Sequence, residues 1–423
     1  MSATKFAIKR TGTLNRFYTQ PAVGQLLAEQ LEILNPSSVL DLGAGEGSLS
    51  TSIADRWPLA DYVTVDKDKK CASKLTNNLS KAGVIKHTHY TTDVLESSLD
   101  LVSKHGLFDL AVCNPPFFKP PWRPEFYNIL SGANLLDSVS NSDITAELVF
   151  LAQNLNMLKH GGTIALITPD GMITGKKTVA LRRALIQQHR IETVIQLPNN
   201  AFKDTDAYCF VLVFKKGLGV TKKIQLLEYN KSNGLSNPIF IDGVDGVDRL
   251  DYDFHLAHKS VDKSAITLRQ LGAEIRRGSL GTVEARSKQY PIFHTTNYDQ
   301  CRVCFEGDLP PDLKKEIIIA EQGDILVARV DRNFHKKVAI VECGQAAITD
   351  CVYRVRVAKR LQEAVFDALR SPSGEAIMKA VSKGVSARLL GKADFLDLPL
   401  ESKRLFFVGK EILQEGKSFS LLL

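Results

Sequence analysis

Ser38-Val-Leu-Asp-Leu-Gly-Ala-Gly-Glu-Gly-Ser-Leu-Ser50 decides the architecture of the first half of the chain. A short apolar run passes into three glycines at alternate positions. Runs of this kind, bounded by turn residues, suit strands buried on both faces of a parallel sheet. Further runs lie outward from it: Tyr62-Val-Thr-Val-Asp66, Phe108-Asp-Leu-Ala-Val-Cys113, Gly162-Thr-Ile-Ala-Leu-Ile-Thr168 and Tyr208-Cys-Phe-Val-Leu-Val-Phe214. Val23, Leu26, Leu27, Leu31 and Leu34 recur at helical spacing, and helices are predicted over 145–159 and 177–189. Strands alternating with helices predict an α/β fold with a doubly wound, mostly parallel sheet.

The pattern changes near residue 245. After the turn-rich seam Gly243-Val-Asp-Gly-Val-Asp248 come short strands over 323–329, 337–342 and 352–357, then helical residues 361–382. They predict a second, mixed β-rich domain. The expected division is 1–246 and 247–423.

Apolar residues at 44% and charged residues at 24% are ordinary for a soluble globular chain. No run approaches the roughly 18 apolar residues of a membrane span, and the first ten residues lack a signal-peptide core. A cytoplasmic protein with no membrane partner is expected. Seven scattered cysteines predict free thiols rather than a disulfide framework. Cys301 and Cys304 have metal-like spacing but supply at most two of four zinc ligands, so no metal is expected. The net charge of +7 permits a polyanionic partner. Beyond residue 250 there are 27 basic and 23 acidic residues, so the excess is denser there.

Two segments carry chemistry. In the first, Asp41, Gly43, Gly45 and Gly47 follow a strand and precede a helix, letting backbone approach a ligand closely. Asp66, 19 residues after Gly47, stands where an open α/β sheet places a ribose-binding carboxylate. The glycines read GxGxG, which is not the dinucleotide fingerprint. In the second, Asn114-Pro115-Pro116-Phe117 ends a strand on a stiff backbone without donors at the prolines. The Asn114 side-chain carbonyl and the Pro115 carbonyl could accept both hydrogens of a planar exocyclic amine, and Phe117 offers a stacking face.

With these segments in this order, the chain resembles the gamma class of N6-adenine DNA methyltransferases, S-adenosylmethionine-dependent enzymes of restriction–modification systems. Phe17-Tyr18-Thr19-Gln20-Pro21 matches the segment that class carries ahead of its glycine loop. The tail resembles a target-recognition domain of type I specificity subunits through residues 249–254, 323–329 and Gly384-Val-Ser-Ala-Arg-Leu-Leu390. The resemblance implies that Tyr18, Thr19 and the 41–47 loop hold the methionine part of S-adenosyl-L-methionine, Asp66 its ribose and Asp93 its adenine amine. It implies a catalytic Asn114, Pro115, Pro116 and Phe117, with Phe202 stacking on the extruded base opposite Phe117. The expected reaction is site-specific methylation of adenine N6 in double-stranded DNA by base flipping and direct transfer, with no general base or metal. Partners would be duplex DNA and a separately encoded restriction endonuclease, in a bacterial, archaeal or phage setting. Arg329, Arg332, Lys336 and Lys337 form a basic loop suited to phosphate or base contact. Lys176, Lys177, Arg182 and Arg183 read equally as the wet face of a helix. The alternatives are an RNA amino-methyltransferase and a catalytically silent DNA-binding relative.

Overall fold

The computed structural model describes residues 19–33, 35–96, 99–198, 201–202, 208–259, 261, 265–311, 313, 316–382, 388–401 and 405. Two compact units divide the chain, Met1–Tyr252 and Asp253–Leu423. The first unit runs six residues past the expected boundary. Arg182 explains part of this: its guanidinium donates to the Val247 and Asp248 carbonyls at 2.9 and 2.6 Å. Arg249 and Asp251 then pair within the same unit through two 2.7 Å bonds.

The first unit begins with α1 (Pro21–Glu29), β1 (Ser38–Leu42), α2 (Ser48–Ala54), β2 (Asp61–Val65), α3 (Lys69–Lys81) and β3 (Lys86–Tyr90). It continues through α4 (Leu101–His105), β4 (Phe108–Cys113), α5 (Glu125–Gly132), α6 (Ala146–Met157), β5 (Leu158–Pro169), α7 (Asp170–Thr174) and α8 (Val179–Gln188). It continues with β6 (Arg190–Gln196), β7 (Cys209–Lys215), β8 (Lys223–Asn230), β9 (Gly234–Leu235) and β10 (Ile239–Asp242), and a single helical turn, Gly243–Gly246, follows. The sheet order is β3-β2-β1-β4-β5-β7-β6-β8-β10, with β9 beside β8. Pairing is parallel from β3 to β5, while β7 runs antiparallel to both β5 and β6.

Strand periodicity builds the layers. Leu110 and Val112 of β4 join one buried cluster with Leu26, Leu27 and Leu75. Phe108, Ala111 and Cys113 join the other, with Phe126, Leu151 and Leu181. From Leu110 to Cys113 successive residues face opposite sides, Phe108 lying before an irregularity in the pairing with β5, so β4 is covered on both. The chain winds outward from β1 in one direction and from β4 in the other. The crevice at the carboxyl ends of these strands is where open α/β sheets bind ligands.

In the second unit, a five-stranded sheet takes the order 274–277, 352–356, 325–328, 338–343 and 302–304. A smaller sheet joins 292–293, 345–348 and 319–321. The helical stretch expected over 361–382 forms two helices, Gln362–Arg370 and Pro372–Val381. Ser371 breaks it: its side chain caps the second helix by accepting from Gly374 N at 3.0 Å, and Pro372 takes the first position. One expectation is corrected here. Cys304 and Cys343 form a disulfide rather than two free thiols, because pairing between their strands brings the Cα atoms to 4.7 Å.

Candidate active site

The glycine turn is shaped by what lies behind it. Gly43, Gly45 and Gly47 all have positive φ, at 78, 53 and 83°. At Gly43 a Cβ would also come within 2.9 Å of the Phe150 ring, so α6 sets the closeness of the turn from a position far along the chain. The Gly43 and Ala44 N–H groups donate to the Val65 carbonyl at 2.7 and 3.0 Å, zipping β1 to β2 past the end of the ladder.

This zipping brings the acidic positions together. Gly45 N donates to Asp66 Oδ2 at 2.8 Å and Asp68 N to Oδ1 at 2.8 Å, fixing the Asp66 carboxylate at the mouth of the turn. Asp41 is only 1% exposed and accepts from Ser50 Oγ at 2.6 Å. Burial raises its carboxyl to about 7, and the charge of Asp66 pushes the same way. Asp93 accepts from Leu95 N at 3.0 Å. Buried Gln153, reaching from α6, donates to the Val94 and Glu96 carbonyls at 3.2 and 3.1 Å and so pins the loop that carries Asp93.

Across the cleft, Asn114 at the end of β4 donates through Nδ2 to Thr19 Oγ1 at 2.9 Å. That bond turns the amide carbonyl away from Thr19. The Thr19 backbone is fixed in turn, accepting from Ser48 Oγ at 2.9 Å and forming a β-bridge with Phe202. A single cleft is lined by Thr19, Asp41, Gly43, Gly45, Asp66, Asp93, Asn114, Pro115 and Pro116, together with Leu49, Leu95, Phe118 and Phe150. Its empty space, open mouth included, is ≈ 960 Å³.

Most of the expected residues therefore converge. Gly47 sits one residue before α2 and is absent from the lining, its left-handed backbone starting the helix beside Leu75. Phe117 is half-buried against the cluster that holds Phe202. Phe202 is 3% exposed, so its ring is a packing ring in this conformation. Tyr18 lies outside the described residues, as do residues 384–387 of the tail motif. Sequence reasoning missed Gln153, Phe118 and Phe150. Phe118 adjoins a recognised motif, whereas the other two show themselves only through contacts made in the fold.

In the second unit, the basic residues do lie between two antiparallel strands. Arg332 and Lys336 are exposed. Lys337 is half-buried and donates to Asp331 Oδ2 and the Thr295 carbonyl, both at 2.8 Å. Arg329 donates to the Asp350 carbonyl at 3.1 Å. Arg182 is no wet-face residue: it is 1% exposed.

The donor set can be tested against a ligand class. Among the described lining residues stand four carboxylates, Asp41, Glu46, Asp66 and Asp93, against one lysine, Lys67. A polyphosphate would be repelled here. A nucleoside carrying positive charge suits this lining better.

Fold and cleft together define a doubly wound S-adenosylmethionine-dependent methyltransferase fold. The sequence matches the N-6 DNA methylase family over residues 3–237, more than half its length, and the chain belongs to that family. It is 25% identical over 222 residues to the type I restriction enzyme MpnII methylase subunit of Mycoplasma pneumoniae, covering 47% of this chain and 40% of that subunit. It is 26% identical over 201 residues to a tRNA1(Val) (adenine(37)-N6)-methyltransferase of Porphyromonas gingivalis, covering 47% of this chain and 75% of that enzyme. Among solved structures, the type IIG restriction endonuclease BpuSI aligns with a TM-score of 0.53 at 14% identity, over 94% of this chain and 60% of that one. That likeness concerns the fold alone. The chain thus spans well under two thirds of the first of these relatives. No helix of the described residues is long and apolar enough to cross a membrane.

Proposed function

We propose that the chain is an S-adenosylmethionine-dependent methyltransferase acting on adenine N6 in double-stranded DNA, as part of a restriction–modification system. The observation that carries the reading is Asn114, held by its bond to Thr19 in the lining of a cleft otherwise suited to a cationic nucleoside. When bound, S-adenosylmethionine supplies a methyl group already activated on a sulfonium. The protein's work is then positional. Asp66 accepts the ribose hydroxyls, and Asp93 stands at the end of the cleft that takes the adenine. Asp41, beside the glycine turn, becomes favourably ionised as positive charge enters.

On the substrate side, adenine N6 is a poor nucleophile because its lone pair is shared with the ring. Asn114 Oδ1 and the Pro115 carbonyl hydrogen-bond its two N–H groups and favour a pyramidal nitrogen whose lone pair faces the methyl. Alignment and fixed dipoles of this kind lower the barrier with no covalent step on the enzyme. The base leaves the duplex at a cost of a few kcal/mol. Stacking on Phe117, worth ~1–3 kcal/mol, offsets this. Phe202 joins that stack only if its ring leaves the core. The unit Asp253–Leu423 would read the target, with Arg332 and Lys336 among its exposed cations.

A second reading, methylation of structured RNA, is favoured by the match that spans 75% of the tRNA methyltransferase. The test is methyl transfer from labelled S-adenosylmethionine to duplex DNA and to structured RNA, by wild type and Asn114→Ala. The DNA reading expects transfer to duplex adenine that the substitution nearly abolishes while cofactor binding survives. Wild-type activity on RNA alone would replace it with the second reading. Undiminished single-turnover transfer by Asn114→Ala would remove the mechanism.

A further inference from the structure

Residues 114–124 hold five prolines, in Asn-Pro-Pro-Phe-Phe-Lys-Pro-Pro-Trp-Arg-Pro. Each fixes φ and reduces the entropy that a ligand would otherwise have to overcome. The segment is pinned at both ends. The Phe118 carbonyl accepts from Ala146 N at 2.9 Å and Pro120 is buried, while Phe126 in the first turn of α5 is fully buried. Between these anchors Pro121 and Trp122 stand out into solvent, the indole 53% exposed. Tyr127, in the first turn of α5, is 58% exposed. Lys119 and Arg123 flank the indole. Lys119 is exposed, and Arg123 forms a long ion pair with Glu96 at 3.8 Å. Phe118, four residues before Trp122, lines the cleft itself.

A large aromatic held outward on a stiff arm, between cations and continuous with a substrate cleft, has the chemistry of a base-stacking platform. We propose that Trp122 stacks on the nucleotide next to the reacting adenine in the DNA strand, with Lys119 and Arg123 on its backbone phosphates. The arm would then hold the unpaired strand while Asn114 engages the extruded base. This deepens the DNA-methyltransferase reading and rests on it.

The chain has two tryptophans, and the other is buried: Trp57 is 7% exposed with Arg56 over its ring at 4.5 Å. A change in tryptophan emission on binding therefore reports Trp122, since Trp57 is shielded from a ligand. The probe is a mixed-sequence DNA duplex containing one unpaired adenine, titrated into the full chain at low salt, with binding followed in parallel by anisotropy of a labelled strand. Stacking predicts that emission falls along the anisotropy curve and that Trp122→Phe abolishes the emission change while still binding. Trp122→Ala should weaken binding about tenfold. Position 122 is exposed, so neither variant threatens the fold. Anisotropy binding with unchanged emission would overturn the platform and leave the DNA reading standing. Absence of binding by anisotropy would overturn both.

Discussion

Asp41→Asn tests the electrostatics of the cleft without changing its shape. The Asp41 carboxyl is buried, and its pKa rises from 3.8 to about 7. In the unfolded chain it loses its proton near the ordinary value. Below pH 4 both states are protonated and the group costs nothing. Between pH 4 and 7 the unfolded state ionises while the folded state does not, so stability falls as pH rises. A shift of about 3 units at 1.36 kcal/mol each gives a loss of ~4 kcal/mol by pH 7, constant above it. Asparagine cannot ionise, so its stability lacks this slope. It can still accept from Ser50, but its NH₂ adds a buried donor whose desolvation is a pH-independent offset of ~1–3 kcal/mol. The slope is therefore the test. Urea unfolding of both proteins, followed by tryptophan emission, should show the Asn variant gaining ~4 kcal/mol on wild type between pH 4 and 8. Parallel curves separated by a constant gap would refute the argument. The same logic predicts that wild-type affinity for S-adenosylmethionine climbs towards pH 7, since a cation beside Asp41 favours its ionised form.

Two further predictions concern binding. Asp66→Ala removes a carboxylate oriented by Gly45 N and Asp68 N, and should weaken S-adenosylmethionine binding by ~1.5–3 kcal/mol in calorimetry with the fold retained. Unchanged affinity would take Asp66 out of the site. Arg332→Ala with Lys336→Ala should lower duplex affinity and reduce the slope of log affinity against log salt by about 2, since roughly one counterion per contact is no longer released. An unaltered slope would remove this loop from the DNA surface. Lys337 is left out because its ion pair with Asp331 makes it a structural cation.

What sequence reading recovered follows from what each segment buries. β1, β4, β5 and β7 are covered on both faces, so their apolar runs are plain. β3 is not: Lys86-His-Thr-His-Tyr90 lies at the sheet edge, its histidines bonded to Thr64 at 2.9 and 3.0 Å, and no alternation marks it. The helix over 361–382 was expected whole because helical spacing survives the break at Ser371. In the cleft, the glycine turn, Asp66 and Asn114-Pro-Pro-Phe were legible because backbone freedom and rigidity are written in glycine and proline. Gln153 and Phe150 were not. An amide and a phenyl on a helix carry no local sign that they will pin a loop or back a turn some 60 to 110 residues earlier. Phe202 shows the converse, since a resemblance supplied its role while the structure gives its ring a place in the core.

Thr19 sits at the joint of two functions. Its hydroxyl aims Asn114, and its carbonyl receives Ser48 from the helix that follows the glycine turn. A ligand that settles the turn must therefore act on the same residue that holds the amide for the substrate. Two binding events that share one positioning residue are thermodynamically linked, and whatever the first lends to the second must be returned in equal measure when the order is reversed. Cofactor and target base would thus change each other's affinity by a single coupling factor, with Thr19 as its point of transmission.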